Sequence, residues 1–229
     1  MGTFTTMQPL KVLYIGNSYT YYHNLPSMVT QLAASSKRVP GIETAMVAHG
    51  YKTLEWHTHN PKTIEGLRRT AWDIVVLQEF SMRPIENREA MYHFASLLHD
   101  EIRKTGGHTV LYLTWARRHT PEMQQDITAA YTELARILDA DVAPVGTAWQ
   151  NALAADCGIQ LYKNDQSHPT PLGSYLAACV FYATFFKHSP VGLTGTISDG
   201  DRELLTLPDH DARHLQSIAW DAVEQFSRS

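Results

Sequence analysis

Five short apolar runs, each followed by a stretch with helical spacing, constrain this chain more than any other feature. Lys11 to Ile15 reads KVLYI and stops at Gly16. Ile42 to Ala48 follows the turn-forming pair Pro40-Gly41. Asp73 to Leu77 (DIVVL), His108 to Thr114 (HTVLYLT) and Asp141 to Val145 (DVAPV) complete the set. Short runs rich in β-branched and aromatic residues favour strands. The unbroken apolar character of DIVVL is that of a strand covered on both faces. Pro144 suits the edge of a sheet, because proline cannot donate to a strand ladder. Between and after these runs, Leu25 to Ala34, Pro61 to about Thr70, Glu86 to Lys104, Pro121 to Leu138, Thr147 to Ala155, Pro171 to Lys187 and Asp209 to Phe226 read as helices.

Strands that alternate with helices imply a mostly parallel sheet with helices on both faces, a three-layer α/β arrangement. Right-handed crossovers favour a doubly wound sheet with the flavodoxin-like strand order 2-1-3-4-5. No repeat, low-complexity tract or composition shift marks a linker, so residues 1 to 229 read as a single domain. Hydrophobic residues make up 44% of the chain, which suits a packed core and not a disordered segment.

Charge and cysteine content exclude several function classes. The formal net charge is −4, and no lysine or arginine run provides a footprint for nucleic acid. The longest apolar run, Tyr175 to Phe186, falls short of the ~20 residues needed to span a bilayer. The N-terminus lacks the basic and apolar regions of a signal peptide, so a soluble cytoplasmic protein with no membrane partner is expected. Cys157 and Cys179 are too few for a disulfide framework. A bond between them stays open, with Cys179 read as a small buried hydrophobe.

In doubly wound sheets ligands bind at the carboxyl ends of the strands. Those ends carry Gly16-Asn17-Ser18, His49-Gly50-Tyr51, Gln78-Glu79 and Thr114-Trp115-Ala116-Arg117. A serine hydroxyl needs a base to act as a nucleophile. Ser18 sits in GNSYT, after a strand and before a helix, where it is equally suited to cap that helix. Far downstream, NDQSHPT places Asp165 and His168 two residues apart in a turn stiffened by Pro169 and Pro171. A carboxylate so placed can orient the second ring nitrogen of a histidine base. Asp165 can equally make an Asx-turn beside an exposed histidine. His49, His57 and His59 lie close in sequence, but their spacing suits no helical face and no cysteine or acidic motif completes a metal set. No metal and no cofactor are assigned.

The combination of GNSYT, an isolated glycine after the second strand, a polar residue after the third and DQSHPT near the C-terminal end resembles the SGNH (GDSL-like) hydrolases. The likeness runs in order from about Lys11 to Phe186. It implies Ser18 as nucleophile, His168 and Asp165 as base and acid, and the Ser18 and Gly50 N–H groups as oxyanion donors. The family's third block usually reads G-x-N-D, with the asparagine amide as a further donor. Here LQEFS stands instead, as in a subgroup with LQE-type third blocks. Gln78 carries the same amide on a longer arm and is the expected substitute. Asn17, Glu79, Trp115 and Arg117 are expected to border the substrate, with Trp115 able to stack and Arg117 to meet a carboxylate. Asn17 can also hold its own loop, Glu79 can serve as scaffold, and Trp115 and Arg117 can be packing and solvated rim. The expected substrate is a small-molecule or carbohydrate ester. The competing reading is a non-catalytic module that binds a nucleotide or sugar in the same crevice, with GNSYT cradling a phosphate at a helix N-terminus.

Overall fold

The computed structural model describes residues 8–156 and 158–228. The chain begins with β1 (Leu10–Gly16), a one-turn α1 (Ser18–Tyr21), a 3-10 turn over Tyr22–Asn24 and α2 (Leu25–Ser35). Then come β2 (Ile42–Ala48), α3 (Leu54–His59), α4 (Pro61–Arg68), β3 (Ile74–Leu77), α5 (Arg83–Glu86) and α6 (Arg88–Lys104). β4 (His108–Tyr112), α7 (Met123–Leu138), β5 (Asp141–Ala143), α8 (Val145–Ala155) and α9 (Pro171–Phe186) follow. The hairpin β6 (Thr196–Asp199) and β7 (Arg202–Thr206) and the long α10 (Asp209–Ser227) close the chain.

The five-stranded sheet has the order β2-β1-β3-β4-β5, with every pairing parallel. Alternation along each strand divides the core into two layers. Val12 and Tyr14 of β1, Val76 of β3 and Val110 and Tyr112 of β4 face α2, α8, α9 and α10. Leu13, Ile15, Val75, Leu77 and Leu111 face the other way, onto α6 and α7. Helix α9 is buried almost all round, from Gly173 to Thr184, because α2, α8 and α10 flank it. That explains why LGSYLAACVFYATFF lacks a polar stripe. None of the helices among the described residues is long and apolar enough to cross a membrane.

Several boundaries move for identifiable reasons. Asn87 caps α6 by accepting from the Ala90 N–H, so the helix expected from Glu86 starts at Arg88, and the short α5 that precedes it was not expected. Helix α7 starts at Met123 and not at Pro121. Strand β5 lies at the sheet edge and stops at Ala143, before Pro144. The hairpin and α3 were not expected. The hairpin turns on Gly200, whose φ of +59° a side-chain-bearing residue rarely adopts. Cys179 is buried and unbonded, and Cys157 lies outside the described residues.

Candidate active site

The parallel register brings distant loops to one edge of the sheet. Gly16 pairs with Ala48, and the His49 N–H donates to the Gly16 carbonyl at 3.1 Å. The two residues that follow on each strand, Asn17-Ser18 and His49-Gly50, therefore emerge side by side. Asn17 caps α1, accepting from the Tyr19 N–H at 3.2 Å, and its amide donates to the Lys52 carbonyl at 3.1 Å. The nitrogen and oxygen of the Asn17 amide thus tie the two loops together and cap α1. They leave Ser18 at the first position of α1, where a backbone N–H has no intrahelical partner.

The turn over Asp165–His168 is built from its own side chain. Asp165 Oδ1 accepts the N–H groups of Ser167 (3.0 Å) and His168 (2.9 Å), and Gln166 takes a φ of +61° to close the bend. Oδ2 lies 2.7 Å from His168 Nδ1, and His168 Nε2 lies 2.9 Å from Ser18 Oγ. Burial alone would raise the Asp165 carboxyl. The His168 and Ser167 N–H groups and the His168 ring outweigh it and hold the carboxyl below the usual aspartate range. A bridge between Tyr162 and Pro169 and the Lys163 N–H to His168 carbonyl bond (2.8 Å) fix the turn from outside.

Aromatic rings hold the imidazole on both sides. Tyr22 stacks on His168 with ring centres 4.7 Å apart, and Tyr19 meets it edge-on at 5.6 Å. The Tyr19 hydroxyl lies 2.6 Å from Ser167 Oγ. The sequence reading gave these tyrosines no role. Their only cue was position, one and four residues after Ser18.

Three expectations change. Gln78 is buried completely and both ends of its amide are engaged. Its Oε1 accepts the Asn17 N–H at 2.7 Å and the Thr20 hydroxyl at 3.0 Å, and its Nε2 donates to the Glu79 carbonyl. A main-chain N–H can only donate, so the amide cannot be turned round. Gln78 therefore braces the loop under Ser18 instead of offering a donor to a bound oxyanion. Gly16 is required by this brace, since a side chain there would come within 2.6 Å of Gln78 Oε1. Replacing Gln78 with methionine leaves the buried Asn17 N–H and Thr20 hydroxyl unpaired. The expected loss is ~1–3 kcal/mol of unfolding free energy by urea denaturation.

Trp115 is not a substrate contact. It is buried, sandwiched between Tyr19 (4.6 Å) and Trp149 (3.9 Å), and its Nε1 donates to the Ser167 carbonyl at 2.9 Å. It carries the core's rigidity to the Asp165–His168 turn. Glu79 is scaffold. Its Oε1 accepts the N–H groups of Leu54 (3.2 Å) and Phe80 (2.6 Å), and burial pushes its carboxyl up to about 7. Gly50 stands beside the site at the end of β2, and its N–H has no partner among the described residues. Arg117 does reach the cavity.

That cavity, about 60 Å³, opens in front of Ser18 and is lined by Tyr51, Phe80, Ser81, Arg117, Ser167 and His168, among others. His57, one of the three clustered histidines, lies beneath it. Its Nε2 donates to the Gly16 carbonyl (2.9 Å) and its Nδ1 accepts from the Thr63 hydroxyl (2.9 Å), so both ring nitrogens are used internally.

Fold and site together define a doubly wound α/β protein with a serine, a histidine and an aspartate in one hydrogen-bonded chain at the carboxyl edge of its sheet. No family model matches the chain, and no curated protein matches it at a significant level. Solved structures do. A candidate SGNH hydrolase from Slackia heliotrinireducens is 28% identical, with a TM-score of 0.68 over 78% of this chain and 100% of that one. A DUF4886 family protein from Bacteroides uniformis is 19% identical, with a TM-score of 0.70 over 95% of both chains. The psychrotrophic esterase EstA from Pseudoalteromonas sp. is 12% identical, with a TM-score of 0.55 over 77% of this chain and 97% of that one. The last two are likenesses of fold. The chain belongs to the SGNH hydrolase superfamily.

Proposed function

We propose that this protein is a serine esterase that hydrolyses small esters, acetyl groups on a carbohydrate among them, through an acyl-enzyme. SGNH and GDSL-like neighbours support a hydrolase in general. One observation carries the finer reading: Asp165, His168 and Ser18 are linked by bonds of 2.7 and 2.9 Å, and Ser18 and His168 open on a cavity of about 60 Å³. A water's share of liquid volume is ~30 Å³, so this space suits a short acyl group.

His168 Nε2 takes the Ser18 proton as Oγ attacks the ester carbonyl. Asp165 holds the ring with Nδ1–H toward itself and stabilises the imidazolium that forms. The C–O bond then breaks, and His168 returns the proton to the leaving alcohol. Water then attacks the acyl carbon and gives a proton to His168, the bond from the acyl carbon to Ser18 Oγ breaks, and His168 returns the proton to Oγ as the acid leaves. The Ser18 and Gly50 N–H groups serve the oxyanion. Gln78 is fully buried and turned into the loop beneath Ser18, so its amide does not join them. One such donor is worth ~2.7–4 kcal/mol in the transition state, which makes this a slower enzyme than one with a complete set.

Asp165→Asn keeps an oxygen for the two N–H groups but puts an amide where Oδ2 accepts from the ring. The histidine then favours the wrong tautomer, and kcat for 4-nitrophenyl acetate is expected to fall by ~10²–10⁴-fold. Labelling by a fluorophosphonate probe tests the reading directly. An adduct mapped to Ser18 by peptide mass spectrometry supports it. An unlabelled Ser18 in folded protein, with tight nucleotide or sugar binding, favours the binding module instead.

A further inference from the structure

The cavity in front of Ser18 holds a charge that hydrolysis of a neutral ester does not use. Arg117 lines it with Asn17, Ser18, Tyr51, Phe80 and His168. The Arg117 Nε is buried and has no hydrogen-bond partner, and its guanidinium makes no ion pair among the described residues. Elsewhere half-buried arginine is provided for: Arg83, for example, donates to Glu55 at 2.6 Å. A buried donor without an acceptor is costly. Such a group calls for an explanation, and at the wall of a cavity a ligand can supply the acceptor.

No neighbouring acid fills that role. Asp165 is the carboxylate at this edge of the site, and both its oxygens are taken by the Ser167 and His168 N–H groups and the His168 ring. Two further cations stand at this edge. The Lys163 ammonium sits 4.7 Å above the ring of Tyr22, which itself stacks on His168, and the exposed Arg118 follows Arg117 in the chain. A planar guanidinium with free N–H groups pairs best with a carboxylate or phosphate, through two parallel hydrogen bonds.

We propose that Arg117 is a specificity-determining residue that selects esters bearing an anionic group, a carboxylate or phosphate, near the scissile bond. This rests on the esterase reading above, so the experiment separates the two. Hydrolysis by the full chain is followed in a pH-stat on two matched pairs. In the first, 4-acetoxybenzoate against its methyl ester, the carboxylate lies on the alcohol side. In the second, monomethyl glutarate against dimethyl glutarate, it lies on the acyl side.

The wild type is expected to favour the anionic member of at least one pair by about 10- to 100-fold in kcat/KM, as a charged hydrogen bond of this kind allows. That preference shrinks with added salt, falls toward unity in Arg117→Met and survives in part in Arg117→Lys. If Arg117→Met does not fold, the wild-type ratio, its salt dependence and Arg117→Lys decide. Turnover of the neutral esters with no preference in either pair overturns this inference and leaves the esterase standing. A preference that Arg117→Met leaves intact also overturns it. No turnover of any of the four esters, together with an unlabelled Ser18, removes the esterase and this inference with it.

Discussion

Ser18→Ala is expected to lower kcat for 4-nitrophenyl acetate by at least ~10⁴-fold, because serine and base act as a unit and neither works alone. The same substitution should barely affect the fold. Ser18 is half-buried, and its hydroxyl makes one side-chain hydrogen bond, to His168 Nε2. Losing it removes ~1 kcal/mol or less of net stability. Loops on both sides keep their own fastenings: Asn17 still caps α1, Gln78 still holds the Asn17 N–H, and Tyr22 still stacks on His168. Kinetics and a urea melt on one preparation therefore give opposite answers, a large catalytic loss and a small stability change. His168→Ala should match the single loss, and the double variant should lose little more than either alone. Turnover retained in Ser18→Ala would remove the nucleophile from the proposal. Additive losses in the double variant would show that serine and histidine do not share one step.

The parallel sheet was readable because its central strands β1, β3 and β4 are buried on both faces over most of their length and appear as largely apolar runs. The β6–β7 hairpin was not, since its strands alternate with exposed polar residues and only Asp199-Gly200 marked the turn. At the site, legibility followed distance along the chain. Asp165 and His168 belong to one turn, and two intervening residues suffice to bring carboxylate and ring together. Gln78 was misread because an amide at a strand end carries no sign of which way it points. Here the bare Gly16 beside it and the Asn17 N–H above draw it inward. Trp115 was undecided for a similar reason. The stacking partners that bury it, Tyr19 and Trp149, lie 96 and 34 positions away in sequence and on different elements. The unpaired state of Arg117 depends on the absence of an acid in three dimensions, which no local pattern encodes.

The contributions of two buried titratable groups beneath the site should largely cancel between about pH 4.5 and 6.5, and Glu79→Gln should expose the cancellation. Burial raises the Glu79 carboxyl from 4.5 to about 7, despite its bonds from the Phe80 and Leu54 N–H groups. Burial lowers His57 from 6.5 to about 4, despite its bond to the Gly16 carbonyl. At ~1.4 kcal/mol per pH unit, each displacement is worth on the order of 3 kcal/mol. Their signs oppose. With a raised folded pKa, the Glu79 contribution is complete below about 4.5 and disappears as pH rises through about 7. With a lowered folded pKa, the His57 contribution is complete above about 6.5 and disappears as pH falls through about 4. Across the shared interval one slope cancels the other. Glutamine copies the protonated acid, with an oxygen for the two N–H groups and a donor in place of Oε2, and it cannot titrate. Glu79→Gln should therefore equal the wild type within ~1 kcal/mol at pH 4.5 and exceed it by ~3 kcal/mol at pH 8. The variant should also lose stability steadily on acidification, as His57 acts unopposed. Urea denaturation at pH 4.5, 5.5, 6.5 and 8 measures both curves. Parallel curves would mean that Glu79 titrates like a solvent-exposed acid, and that its carboxylate is not the buried clamp on Leu54 and Phe80 that the hydrogen bonds describe.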